Sequence, residues 1–191
     1  LVWERIQVKT VILLRGLTRE SAHWGRFPAL LSERMPGLYV VPIDLPGNGR
    51  MNVQRSPSRV DSMARAARQQ VHELGLSPPY HLVAMSLGAM VAVEWAVQDP
   101  SSLGSCVLIN TSLRPFSPWY RRLRPANLPT LLRIALAMGS DRWREEAILR
   151  LTTRHATAPA ALAQEWAGIR HQRPVSAANA MRQLMAAARY R

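Results

Sequence analysis

Ser86 stands where an apolar run, His81 to Met85, gives way to a helical run carrying Met90, Val91, Val93 and Trp95, which leaves almost no length for the turn between them. Ala84 and Gly88 lie two residues before and two after it, the spacing of the GxSxG nucleophile elbow with its first glycine replaced by alanine. Such a strand-to-helix turn strains the backbone at the serine, so its neighbours must lack bulk. It also aims the hydroxyl at the positive N-terminal end of the following helix. The next backbone N–H, that of Leu87, then faces the place where an oxyanion would form. The chemistry this permits is attack by the Ser86 hydroxyl on an acyl carbon. The same spacing also fits a strand-to-helix junction with ordinary packing glycines, so the surrounding elements must decide.

Up to Leu113 short β-prone runs alternate with helical patterns. The strand candidates are Arg5 to Lys9, Thr10 to Leu14, Tyr39 to Leu45, His81 to Met85 and Cys106 to Asn110, with Ser102 to Ser105 as the lead into the last. Helical spacing occupies Ser21 to Arg34 (Trp24, Phe27, Leu30, Leu31), Val60 to Leu74 and Gly88 to Gln98, so this part reads as βα units around a mostly parallel sheet. Beyond Leu113 only helical segments are predicted: Leu128 to Met138, Asp141 to Thr152, Ala160 to His171 and Val175 to Arg189. They begin with Arg114-Pro-Phe-Ser-Pro-Trp-Tyr120, an aromatic, proline-rich stretch suited to covering a pocket. Trp119, Tyr120, Trp143 and Trp166 read first as fillers of helix interfaces.

With 191 residues, 48% of them hydrophobic, the chain can bury one substantial core. Its longest nearly apolar run, Leu82 to Val97, is too short for a membrane span and carries Glu94, and no export leader is recognisable at the start. A cytoplasmic protein is expected. Cys106, the single cysteine, is expected as a core thiol. The formal charge of +13 comes almost entirely from arginines scattered along the chain, the densest group being Tyr120-Arg-Arg-Leu-Arg124. The basic stripe with interleaved aromatics expected of a nucleic-acid surface is poorly developed, so no nucleic-acid partner is expected. With no CxxC, no HExxH, no carboxylate cluster at metal spacing and no phosphate-binding glycine loop, no cofactor or metal is expected either.

Three segments in order, Val11-Ile-Leu-Leu-Arg-Gly-Leu17 with Trp24 beyond it, Ile43-Asp-Leu-Pro-Gly-Asn-Gly49 and the serine turn, resemble the α/β-hydrolase family. The resemblance runs from about Arg5 to Leu113. It implies a mostly parallel central sheet with flanking helices and a helical lid after the equivalent of the sixth strand. It implies Ser86 as nucleophile, the backbone N–H groups of Leu17 and Leu87 as oxyanion donors, and a structural role for Asp44 in its loop. Where the family usually carries histidine before Gly16, this chain has Arg15. Its expected role is to pair with Asp44 or anchor the oxyanion loop, with substrate contact as the alternative.

A hydroxyl nucleophile needs a base, and the base an orienting acid. In the family both follow the lid, and no residue here takes their place. His23, His72 and His81 read as structural or surface residues, and His155 and His171 fall in the lid. Asp141 reads as a helix cap and Asp99 as a helix stop. The expected organisation is therefore an incomplete α/β-hydrolase fold: core at 1–113, lid at 114–173, and at 174–191 a helix leading back towards a C-terminal portion, with a complementing C-terminal chain among the expected partners. The expected function is a serine hydrolase acting on a small carboxylic ester or related acyl substrate, inactive as this fragment. The alternative is a catalytically inactive binding or interaction protein of the same fold. The last strand candidate should then present an open, apolar sheet edge.

Overall fold

A run such as Val11-Ile-Leu-Leu14, apolar at every position, is stable in a sheet only when both faces are covered. In the computed structural model, which describes residues 8–113, 116, 125–135, 139–152 and 160–191, all four of these side chains are buried. They belong to β1 (Lys9–Leu14), an inner strand of a parallel sheet. The other strands are β2 (Leu38–Ile43), β3 (Tyr80–Met85) and β4 (Leu103–Ile109), in spatial order β2-β1-β3-β4. Leu14 pairs with Ile43 on one side and Ala84 on the other, and Met85 pairs with Ile109. The order reverses between β1 and β3. Loops leaving the C-terminal ends of these two strands therefore diverge, and the crevice between them is where open parallel sheets place their ligands.

The two faces of the sheet are covered unequally. Ile12, Leu14, Leu82 and Ala84 face α2 (Val60–Glu73) and α3 (Leu87–Gln98), where Met63, Ala64, Ala67, Val71, Val91 and Trp95 complete the main core. Small side chains on both helices let them lie close to the strands. The opposite face is thinner, with Val11 and Leu13 meeting Trp24 and the partly buried Leu31 and Val83. The helix predicted over Ser21 to Arg34 is broken in two. A 3-10 turn (Ser21–Trp24) ends at Gly25, whose φ of 53° takes the chain out of the helix, and α1 (Phe27–Arg34) follows with no fully buried residue.

The later segments form α4 (Leu128–Ala135), α5 (Asp141–Thr152), α6 (Ala160–Gln172) and α7 (Ala177–Arg189), and α5 packs on α6. No helix among the described residues is long and apolar enough to cross a membrane. Most of the expected cover at 114–120, the basic group at 120–124, His155 and the strand residues at 5–7 lie outside the described residues.

β4 departs from the expectation in length and in burial. It begins at Leu103 rather than Cys106, and five consecutive residues, Gly104 to Leu108, are exposed. Cys106 is thus an exposed thiol instead of a core one, because nothing among the described residues covers this end of the sheet. Val107 and Leu108 are 53% and 42% exposed on a strand that pairs on one side with β3 and is otherwise open among the described residues. Open apolar edges template further strand pairing. The 191-residue chain should accordingly associate with rising concentration in sedimentation velocity, and Val107→Lys should shift it towards monomer with an unchanged far-UV spectrum.

Candidate functional site

The turn predicted at Ser86 is present and strained. Ser86 has φ 56° and ψ −116°, directly after β3, and α3 starts at the next residue. A non-glycine residue rarely adopts that conformation unless its surroundings impose it. The neighbouring strand does so. Ser86 N donates to the Ile109 carbonyl at 2.9 Å, and the Thr111 hydroxyl donates to the Ser86 carbonyl at 3.3 Å. From the other side the end of β1 closes in. A Cβ on Gly88 would sit 2.5 Å from the Arg15 carbonyl oxygen and 2.7 Å from that of Leu14, and one on Gly16 would sit 3.0 Å from the Ser86 Cβ. Gly16 and Gly88 are therefore the residues that let the loop holding Leu17 and the first turn of α3 holding Leu87 meet beside the Ser86 side chain.

The loop after β1 is a tight turn in which Arg19 N donates to the Gly16 carbonyl at 3.1 Å and Thr18 takes a φ of 54°. Asp44 fixes the adjoining loop, accepting from Ser21 N at 2.6 Å and Arg50 N at 3.0 Å. The position of Gly49 against the Asp44 carboxylate leaves no room for a side chain. The favoured pairing of Arg15 with Asp44 is not formed, because both carboxylate oxygens are taken by backbone N–H groups. The Arg15 guanidinium instead lies 4.9 Å from the Trp24 ring and 5.8 Å from the Trp166 ring, with Nη1 3.3 Å from the Met85 sulfur. It has no carboxylate partner among the described residues. Burial first, and Arg19 second, lower its pKa to about 10.

Around it lies a buried ionic network that sequence reasoning missed. Glu145 of α5, fully buried, lies 2.6 Å from Arg19 and 2.7 Å from Arg170 of α6, and Arg173 reaches Glu20 at 2.8 Å. Burial raises the Glu20 pKa, against the pull of Arg173. Trp166 is a hub, meeting the Arg19 guanidinium at 4.8 Å and the His23 ring edge-on at 5.3 Å. Arg19 with Glu145 and Glu20 with Arg173 lie more than a hundred residues apart and leave no local pattern, which is why these pairs were invisible. The interface role read for Trp166 was the one available signal.

His23 is buried in this network. Its Nδ1 accepts from Glu20 N at 3.2 Å, so the neutral ring carries its proton on Nε2. Burial, with Arg19 and Arg15 nearby, pushes its pKa down to about 2. His81 meets Ser105 at the far end of β3, and His72 and His171 are exposed. No described histidine or carboxylate hydrogen-bonds to the Ser86 hydroxyl. No cluster of metal-ligating side chains occurs among the described residues.

A sequence model of the alpha/beta hydrolase family matches residues 11–191. The chain belongs to the alpha/beta hydrolase family. Two curated hydrolases are similar to part of the chain. A pimeloyl-[acyl-carrier protein] methyl ester esterase of Methylococcus capsulatus is 34% identical over 99 residues, 52% of this chain and 35% of that protein. A 2-hydroxy-6-oxononadienedioate/2-hydroxy-6-oxononatrienedioate hydrolase of Pseudomonas putida is 32% identical over 114 residues, 58% of this chain and 39% of that one. The shared stretch thus spans well under half of either relative. Among solved structures, a carboxylesterase of Nitrososphaera gargenis superposes with a TM-score of 0.71 at 16% identity, covering 97% of this chain and 66% of that one, a likeness of fold.

Two outcomes test this geometry. Gly88→Ala forces a methyl group into backbone oxygens that cannot yield, and should lower stability by about 2–3 kcal/mol in urea unfolding. His23 makes the fold acid-sensitive. Its folded-state pKa lies below that of the unfolded chain, so the unfolded state alone takes up a proton below about pH 6.5, and stability falls as pH drops from there towards 2. At pH 4.5 the loss from this group is roughly 3 kcal/mol. His23→Gln should flatten that part of the stability profile.

Proposed function

We propose that this protein is a serine hydrolase of the family, acting on a carboxylic ester or related acyl compound. The Ser86 Oγ attacks the carbonyl carbon and loses its proton to a base. The alcohol leaves as it takes up a proton, and water then releases the acid from the acyl-serine. The Leu17 and Leu87 N–H groups hold the oxyanion of each tetrahedral stage. The observation that carries this reading is the strained φ of 56° at Ser86, with Gly16 packed against it and Gly88 against the end of β1, a conformation that ordinary packing does not require. In this reading the general base and its acid come from outside the described residues, from a complementing segment or chain. Residues 1–113 form the core and 114–173 the lid, and the helix within 174–191 braces the site loops. The site lies in the cytoplasm, in keeping with a lone thiol.

A second reading, an inactive binding protein of this fold, is favoured by one observation: no described imidazole reaches Ser86. A fluorophosphonate probe separates the two. Phosphonylation at Ser86, mapped by mass spectrometry and reduced at least 100-fold in Ser86→Ala, is the expected result. A folded protein that never labels, alone or with its complementing portion, sinks the hydrolase reading.

A further inference from the structure

The buried face of α7 is unusual in carrying two amides, Asn179 and Gln183, one turn apart, where apolar side chains would be expected. A buried amide is costly unless its groups are hydrogen-bonded, so its partners indicate what it holds. Asn179 grips the loop at 52–56, accepting from Ser56 N at 2.9 Å and donating to the Gln54 carbonyl at 2.9 Å. Gln183, fully buried, joins two other loops. Its Oε1 accepts from Thr18 N at 2.8 Å, and its Nε2 donates to the Oδ1 of Asn48, also fully buried, at 2.8 Å.

Thr18 is the residue after Leu17, and its φ of 54° is unfavourable for a β-branched side chain. In a four-residue turn the peptide between the second and third residues can face either way, and a positive φ at the third residue goes with only one of them. The Gly16 carbonyl is already committed to Arg19 N, so the Leu17–Thr18 peptide is the free element of this turn. Among the described residues the restraint on that peptide is the bond from Thr18 N to Gln183. Without that acceptor the central peptide can flip, which relieves Thr18 and loosens the turn whose preceding peptide, Gly16–Leu17, carries the Leu17 N–H.

We infer that Gln183 is a positioning residue: it holds the turn that carries the Leu17 oxyanion donor, and it ties that turn through Asn48 to the loop at 44–49. The inference rests on the proposed hydrolysis at Ser86 for its catalytic consequence, and its structural half is measured without turnover. In Gln183→Met, hydrogen exchange at the Thr18 amide, corrected for global stability, should accelerate at least tenfold. For a p-nitrophenyl acyl ester, kcat should drop about tenfold with KM within twofold. Gln183→Glu should return both towards wild type, since a carboxylate still accepts from Thr18 and the buried, unpartnered Asn48 Nδ2 can turn to meet it. Asn179→Leu, on the same helix face, should cost stability and leave Thr18 exchange and kcat unchanged.

Unchanged Thr18 exchange in Gln183→Met overturns the inference, as does an equal kcat loss in Asn179→Leu. If Gln183→Met does not fold, Gln183→Glu carries the test: the Thr18 amide shift must follow titration of the introduced carboxylate, and a shift that does not follow it overturns the inference. Where the chain shows no esterase turnover without its complementing portion, Thr18 exchange alone decides for or against Gln183, and the hydrolase reading is judged separately by labelling at Ser86.

Discussion

The site depends on how closely the first turn of α3 approaches the end of β1. The Leu14 and Arg15 carbonyl oxygens leave no space for a side chain on Gly88, and Gly16 sits against Ser86 with little more room. That contact puts the Leu17 loop and the α3 N-terminus on either side of one side chain. It also explains why Ser86 tolerates a positive φ: the strand-to-helix transition takes place within one residue, held by the Ile109 and Thr111 hydrogen bonds. Interiors are packed too densely for such a contact to relax, so a strained residue persists where both its neighbours are fixed.

Around that contact the loops are braced from two directions by polar groups rather than apolar ones. From α5 and α6 come Glu145, Arg170 and Trp166, seated on Arg19 and His23. From α7 comes Gln183 on the Leu17 turn, while Asn179 holds the separate loop at 52–56. Buried ion pairs add little net stability once desolvation is counted, but breaking one leaves a stranded charge, so they fix geometry more than they strengthen the fold. Arg15 is the exception within this group, a buried cation met by aromatic rings and a sulfur instead of a carboxylate. Its lowered pKa reflects that cost.

The alternation of strand and helix, the parallel sheet and the serine turn were legible because each is written in local spacing: Thr10 to Leu14 as a strand, Val60 to Leu74 as a helix, Ala84 and Gly88 around Ser86. The expectations that failed were those needing knowledge of what lies opposite. Cys106 has core chemistry but lies on a strand with no cover among the described residues. Trp24 to Leu31 has helical spacing, yet Gly25 interrupts it. Arg15 and Asp44 have opposite charges and neighbouring loops, but backbone N–H groups reach Asp44 first.

By itself, then, the sequence determined the order of the elements and the identity of the strained serine, since periodicity and small residues act on near neighbours along the chain. Only the tertiary structure decided which polar groups hold the loops beside Ser86. Glu145 with Arg19 and Gln183 with Thr18 are 126 and 165 residues apart, and such partners are chosen by packing at the C-terminal edge of the sheet, where no local pattern records them.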